Sequence, residues 1–427
     1  MRMLDANTIN RVFRSDFGMM VRIHRTLKNM TLRQLADIAG LSHTMLNKIE
    51  LGQSAVTDSS LQRISQALNC KFLYNESIAT KFETDKRTIH DAVYQGSLAL
   101  SIETMERIDT QKDYHMLAPS IVEYMIIVVA MYNYPRFSKR DIADRYLRVL
   151  EKSLPLMTLK QQQYFYMYAG AFHYYSHDLE RALTYFETAF EMRETSSRAA
   201  LINYSRAMVS SELYKVHRAD TYYTLALQGF ERSNTMTRAM ACRLFKAVNR
   251  IKIYDFEPFL YEAPNIIRYA EQTMSRQLRN STYHYETIVH VLKAHFAKAL
   301  DVAEAVDKKD EELYFYQAYA ALRLNRKPRF NKILKHAEQH AITDDNAAYA
   351  KPGLTFLHAV SNPQAYENKT YQMALKTYFD VTVLRRDYLR TQLVYEYLNR
   401  HLVNTRQYKQ AFELCDAMQR IIRQTMQ

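Results

Sequence analysis

Apolar residues recur every three or four positions along almost the whole chain, the period of helices with one buried face. Near the start this period breaks into short runs separated by turn signals. Phe17, Met20, Val21, Ile23 and Leu27 predict a first helix ending near Asn29. Thr31 is placed to cap a second, with Leu32, Leu35, Ala36 and Ile38 facing inward. Gly40 ends that helix, because glycine adopts the left-handed conformation at a helix terminus at little cost. Ser42 caps a third helix, His43 to Leu51, which Gly52 stops. Asp58 or Ser59 caps a fourth, carrying Leu61, Ile64 and Leu68.

Two short helices joined by a tight glycine-containing turn make a helix-turn-helix, whose second helix enters the major groove. The run TLRQLADIAGLSHTMLNKIELGQ resembles the repressor-type (Xre/Cro-like) helix-turn-helix family. Ala36, Gly40, Leu41, Ser42, Leu46, Ile49, Glu50 and Gly52 occupy that family's characteristic places. The resemblance puts Ser42, His43, Thr44, Asn47 and Lys48 at double-stranded DNA. Their chemistry suits base edges: lysine donates to guanine, asparagine pairs adenine, and threonine touches a thymine methyl. Arg22, Arg25, Lys28 and Arg33 are the expected phosphate contacts. The family also pairs the Arg25 and Glu50 positions as a brace. Two positions depart from the pattern. Leu32 stands where the family often has Gln, and Leu51 where it often has Asn. Both weaken the expected backbone contacts and leave the groove reader intact.

Past the reader, the polar stretch 73–86 is the expected linker, dividing a reader over 1–72 from an array over 87–427. The array shows self-similarity at a fixed period, the mark of a solenoid. Residues 164–193 resemble a tetratricopeptide repeat: Tyr166 takes the large aromatic place and Gly170 the small one. Ala182, Phe186 and Ala189 follow on the second helix. Ala207, Ala219, Tyr223 and Ala226 repeat the scheme, Ala219 lying 37 residues after Ala182. Tyr395, Ala411, Cys415 and Met418 repeat it again, and about eight or nine helix pairs are expected in all. The predicted fold is all-α, a helix-turn-helix domain followed by a right-handed tetratricopeptide-like solenoid. A single helix pair cannot bury its apolar face, but stacked pairs share one core.

Composition agrees. With 7 Gly and 8 Pro in 427 residues, a turn-rich sandwich or barrel is excluded, since hairpins consume both. The 33 Tyr and 19 Phe fill the spaces opposite small residues. The net charge is +13, and residues 1–75 hold 10 Lys/Arg against 5 Asp/Glu. That local excess suits a polyanionic partner. Three scattered cysteines fit a reducing cytoplasm, with Cys70 and Cys415 expected in the core. His173 with His177, and His336 with His340, have i, i+4 spacing but lack a third ligand, so no metal or other cofactor is expected. No GxSxG, HExxH or phosphate-cradling glycine loop occurs, and the reading is of a non-enzyme. No apolar run is long enough for a membrane span.

An Xre-like reader followed by such an array resembles the peptide-pheromone-responsive regulators of Gram-positive bacteria and their phages, the RRNPP group. The resemblance implies a cytoplasmic homodimer that binds an operator under the control of a short signalling peptide. In that group, asparagines on the first helices of successive repeats bond the peptide backbone, and a basic residue meets a carboxylate. Asn203, Asn249 and Asn399 are the candidates here, with Arg206 and Arg250 nearby. The alternative is an array that recruits a partner protein to DNA without any peptide.

Overall fold

The computed structural model describes residues 2–134, 136–137, 139–192, 198–340, 342–343 and 346–425. Two strands, β1 (Arg2–Met3) and β2 (Leu73–Tyr74), pair antiparallel, Arg2 opposite Tyr74. Between them lie α1 (Ala6–Thr8), a π-helical turn at Ile9–Phe13, α2 (Arg14–Leu27), α3 (Leu32–Ala39), α4 (His43–Glu50) and α5 (Asp58–Ala67). Thr31 and Ser42 cap α3 and α4 as expected, and Gly40 sits at φ +61°. Thr57, not Asp58 or Ser59, caps α5. Leu35 and Ala36 are buried, whereas Ile38 is exposed.

After β2 come α6 (Glu76–Gln95), α7 (Leu98–Asp109), α8 (Lys112–His115), α9 (Ile121–Met131), α10 (Arg140–Ser153), α11 (Leu159–Tyr175) and α12 (Leu179–Glu191). Then follow α13 (Ala199–Glu212), α14 (Val216–Arg232), α15 (Met236–Ile251), α16 (Glu257–Gln272), α17 (Arg276–Leu292) and α18 (Phe296–Glu304). The last are α19 (Glu311–Arg323), α20 (Lys327–His340), α21 (Ala347–Ser361), α22 (Asn368–Leu384), α23 (Tyr388–Asn404) and α24 (Tyr408–Thr425). The chain divides into two compact units, Met1–Val209 and Ser210–Gln427. Each is a stack of helical hairpins, and the first also carries the reader.

The stretch 73–86 is not an irregular linker. Asn75 caps α6 by accepting the Ile78 N–H, and the helix runs on for 20 residues. Its inward positions include Asp85 and His90, polar residues that disguise the apolar stripe. Both are partnered: Arg107 Nη2 donates to Asp85 Oδ1 at 2.8 Å, and Tyr168 Oη lies 2.6 Å from His90 Nδ1.

The scarcity of glycine has a structural counterpart. The array's turns place His177, Tyr214, Asn234, Tyr254, Met274, Ala294, Asn325, Arg386 and Arg406 at φ of 53–61°. These are helix-terminating left-handed positions where glycine is ordinarily favoured. Gly170 serves a different purpose: a Cβ there would lie 2.8 Å from the Phe186 ring, so α11 and α12 approach only because the position is bare. Ala182, Phe186, Ala189, Ala219, Tyr223 and Ala226 are all buried. Of the cysteines, Cys242 is the buried one, and Cys70 and Cys415 are half-buried.

Candidate nucleic-acid interface and array residues

Helix α4 owes its orientation to three inward residues, Leu46, Ile49 and Glu50. The opposite face presents His43, Thr44 and Lys48 to solvent, with Asn47 half-exposed. Ser42 is exposed, and its hydroxyl accepts the Met45 N–H at 3.1 Å. Arg25 forks onto Glu50, Nε to Oε1 at 2.6 Å and Nη2 to Oε2 at 2.8 Å. Gly18 lets α2 cross the end of α4, since a Cβ there would meet Ile49 O at 2.4 Å and Glu50 O at 2.5 Å. Sequence pattern alone carries no signal for that crossing.

The phosphate candidates divide. Lys28 and Arg33 are exposed. Arg25 is bonded to Glu50 and to Met30 O, the brace expected of it. Arg22 donates to Lys152 O at 2.7 Å and belongs to the contact with α10. Arg63 is a basic residue the pattern does not single out. It is exposed, and its Nη1 donates to Gly40 O in the turn between α3 and α4.

Hydrogen bonds join the reader to the first helices of the array. Arg145 donates to Leu27 O at 2.9 Å, His24 Nε2 lies 2.8 Å from Met116 O, and Leu73 N–H donates to Leu117 O. Burial lowers the His24 pKa, which favours a neutral ring donating to that carbonyl. Phe17 meets Phe72 edge-on at 4.9 Å. The last turn of α2 therefore meets the end of α8, α10 and, through His24 against the Phe72 ring, the residue that precedes β2.

Of the array candidates, Asn203 is buried and accepts from Arg206 Nη1 at 3.0 Å, while the Arg206 guanidinium lies 4.5 Å from the Phe190 ring centroid. Asn249 is 0% exposed, and its amide donates to Val216 O and Asp220 Oδ1. Its Nδ2 thus ties α15 to the start of α14, and its Oδ1 has no hydrogen-bond partner among the described residues. Arg250 pairs with Asp255 at 2.8 Å and Asp220 at 3.6 Å. Asn399 is half-buried on α23. His173 is buried beside Asp178 at 3.6 Å. Among the described residues no group of three His, Cys, Asp or Glu side chains could hold a metal, and no helix is long and apolar enough to cross a membrane.

Residues 21–75 match the helix-turn-helix family model. No curated protein matches the sequence. Among solved structures, the apo form of the quorum sensor NprR from B. thuringiensis is similar, with a TM-score of 0.61 at 14% identity over 81% of this chain and 99% of that one. NprR in complex with its cognate peptide NprX gives 0.56 at 14% identity, over 81% and 99%. A Rap protein complexed with Competence and Sporulation Factor gives 0.62 at 12% identity, over 82% and 99%. At such identities the likeness is one of fold. The chain thus carries a helix-turn-helix domain of the Xre type and, beyond it, the tetratricopeptide-like helical fold of the NprR and Rap proteins.

Proposed function

We propose that this protein is a DNA-binding transcriptional regulator of the RRNPP type, working in the cytoplasm as a homodimer whose operator affinity is set by a short signalling peptide. The observation that carries the reading is an outward recognition helix joined to a helical array through the hydrogen bonds of Arg22, His24 and Arg145. A reader held in this way moves with the array's first helices, so a ligand that favours one dimer geometry alters the spacing of two recognition helices. The peptide must bind that geometry better than the other, and its differential affinity bounds the shift. Base contacts fall to His43, Thr44, Asn47 and Lys48, and phosphate contacts to Lys28 and Arg33. Asn203, Arg206, Asn249, Arg250 and Asn399 remain the proposed peptide contacts. The fold of NprR, solved with its cognate peptide, supports the ligand class.

The test is direct. An operator is selected from a randomised duplex library, and its affinity is measured by fluorescence anisotropy with and without synthetic peptides encoded near the gene. A peptide that shifts the affinity at least tenfold supports the reading. No selected sequence would overturn the DNA half. An affinity moved by a partner protein and by no peptide would favour the recruiting scaffold.

A further inference from the structure

Arg390, on the first turn of α23, is 5% exposed and gathers residues from helices far apart in sequence. Its Nη1 donates to Glu311 at the start of α19 at 2.7 Å, its Nε donates to Asp387, and its Nη2 lies 3.8 Å from Glu312. Glu312 in turn meets His284 Nε2 of α17 at 3.1 Å, and His284 Nδ1 lies 3.7 Å from Asp310. From α21, Tyr349 Oη donates to Asp387, and its ring centroid lies 4.5 Å from the guanidinium. Tyr316 of α19 and Tyr378 of α22 are buried beside them, and burial keeps all three phenols neutral. Arg385, exposed at the end of α22, stands over the Tyr349 ring at 5.0 Å. In a solenoid each hairpin contacts its neighbours. Here an ion pair reaches from α23 past the α21–α22 hairpin to α19.

The charges of this junction do not balance. Glu311, Glu312 and Asp387 face one guanidinium, and the further cation in contact with them is His284 when protonated. Asp310 is exposed and kept by water. One negative charge is left over, and a buried group in that position takes up a proton. It falls to Glu311. Asp387 accepts from the Arg390 backbone N–H, from Arg390 Nε and from Tyr349, three donors that hold it ionised. Glu312 is more exposed and has His284. Glu311 has the Arg390 guanidinium alone among the described residues, and it borders the apolar side chains of Phe315, Ala337, Ala350 and Leu354. Burial pushes its carboxyl up to about 7, with Glu312 and Asp387 adding to the effect and Arg390 opposing it. Burial disfavours a charged His284, but the Glu312 hydrogen bond and the Glu312 and Asp310 charges together outweigh it and raise its pKa.

We propose that this junction is a proton-controlled latch on the stacking of the second unit's hairpins: with Glu311 and His284 protonated it locks α17, α19 and α23 together, and loss of those protons releases them. Both groups act with the same sign. The closed junction binds more protons than an open one, so its stability falls as pH rises from the ordinary carboxylate range through about 7. None of its residues is a proposed DNA or peptide contact, and the latch stands without the peptide reading.

The experiment is peptide-resolved hydrogen exchange of the full chain at about pH 6 and about pH 8.5, corrected for the intrinsic pH dependence of amide exchange. Residues 311–323 and 388–404 should open about tenfold more at the higher pH, the change that a carboxyl raised to about 7 gives over this interval. Residues 216–251 should change less. Glu311→Gln keeps the shape and cannot ionise, so both helices should stay protected at either pH. Infrared difference spectra of the parent should show a protonated carboxyl at the lower pH that is lost at the higher and is missing from Glu311→Gln. Circular dichroism at the lower pH shows whether the variant folds, and if it does not, the parent's exchange decides alone. Equal protection of both helices at the two pH values, or a rise no larger than that of 216–251, would overturn the latch. So would a folded Glu311→Gln that responds to pH like the parent.

Discussion

Arg25 and Glu50 hold the reader's first and third principal helices together through a bidentate pair, with the Glu50 side chain 1% exposed. Neither residue reaches solvent on the α4 face, yet the pair sets how that face is presented. Glu50→Gln keeps the shape and leaves the guanidinium without its counter-charge. Breaking one partner of a buried pair costs about 3 kcal/mol or more. Urea unfolding should show that loss, and DNA affinity should fall with it. Unchanged stability would mean the pair is a surface contact in effect.

Acid should loosen the first unit. His90 is stacked on Tyr164 at 3.9 Å, and burial, aided by the nearby Arg198, Lys86 and Lys160 charges, holds its pKa down to about 3. His115 lies between the Phe82 and Tyr124 rings, and burial brings it down to about 4. Both are neutral when folded and free to take a proton near 6.5 when unfolded. The unfolded state therefore binds more protons below pH 6.5, and the stability present above that pH is lost as it falls toward 4 and then 3. Each group contributes up to about 1.4 kcal/mol per pH unit in its window. His90→Gln should flatten the decline measured by urea unfolding between pH 7 and 5. Parallel pH curves for parent and variant would sink the assignment.

Residues whose roles are local were readable without coordinates. Thr31, Ser42, Gly40 and Gly52 cap or stop helices through their own backbone neighbours, and Gly170 meets a ring at a fixed repeat offset. Roles fixed by distant partners were hidden. The polar run 73–86 looks like a linker because an inward position of α6 within it is Asp85, and only Arg107 makes that burial tolerable. Arg22 looks like a phosphate contact until α10 supplies the Lys152 carbonyl. Asp58 resembles a cap, but its carboxylate accepts from the Ala6 N–H at 3.3 Å, which leaves the capping to Thr57. Ile38 fits the α3 period and still lies outward, because the turn is too short a helix for the period to fix its edge.

The left-handed turns offer a stability test. Met274 stands at φ 53° and is 87% exposed, ending α16 with the Ser275 N–H donating to Ala270 O at 2.8 Å. A side chain pays about 1–2 kcal/mol in this conformation, and glycine does not. Glycine also loses more freedom on folding, which offsets part of the gain. Met274→Gly should therefore stabilise the second unit by up to about 1 kcal/mol, read as a higher melting temperature. A lower melting temperature would show that the side chain contributes packing its exposure conceals.

The two classes of basic residue in the reader should separate by salt and by sequence. Lys28 and Arg33 are exposed away from the outward α4 row, where a phosphate contact carries no sequence information. Removing either should weaken every duplex alike and lower the slope of log affinity against log salt by about 0.9. Lys48 and Asn47 lie on the α4 face itself. Their replacement by alanine should cost about 1–3 kcal/mol of discrimination at one operator position each, with that position relaxed in a repeated library selection. Arg22→Ala should do neither, because its guanidinium is held on Lys152 O. It should instead loosen the seat of the reader, leaving sequence preference intact while reducing the effect of peptide on operator affinity. A change in preferred bases for Arg22→Ala, or none for Lys48→Ala, would refute this division of the surface.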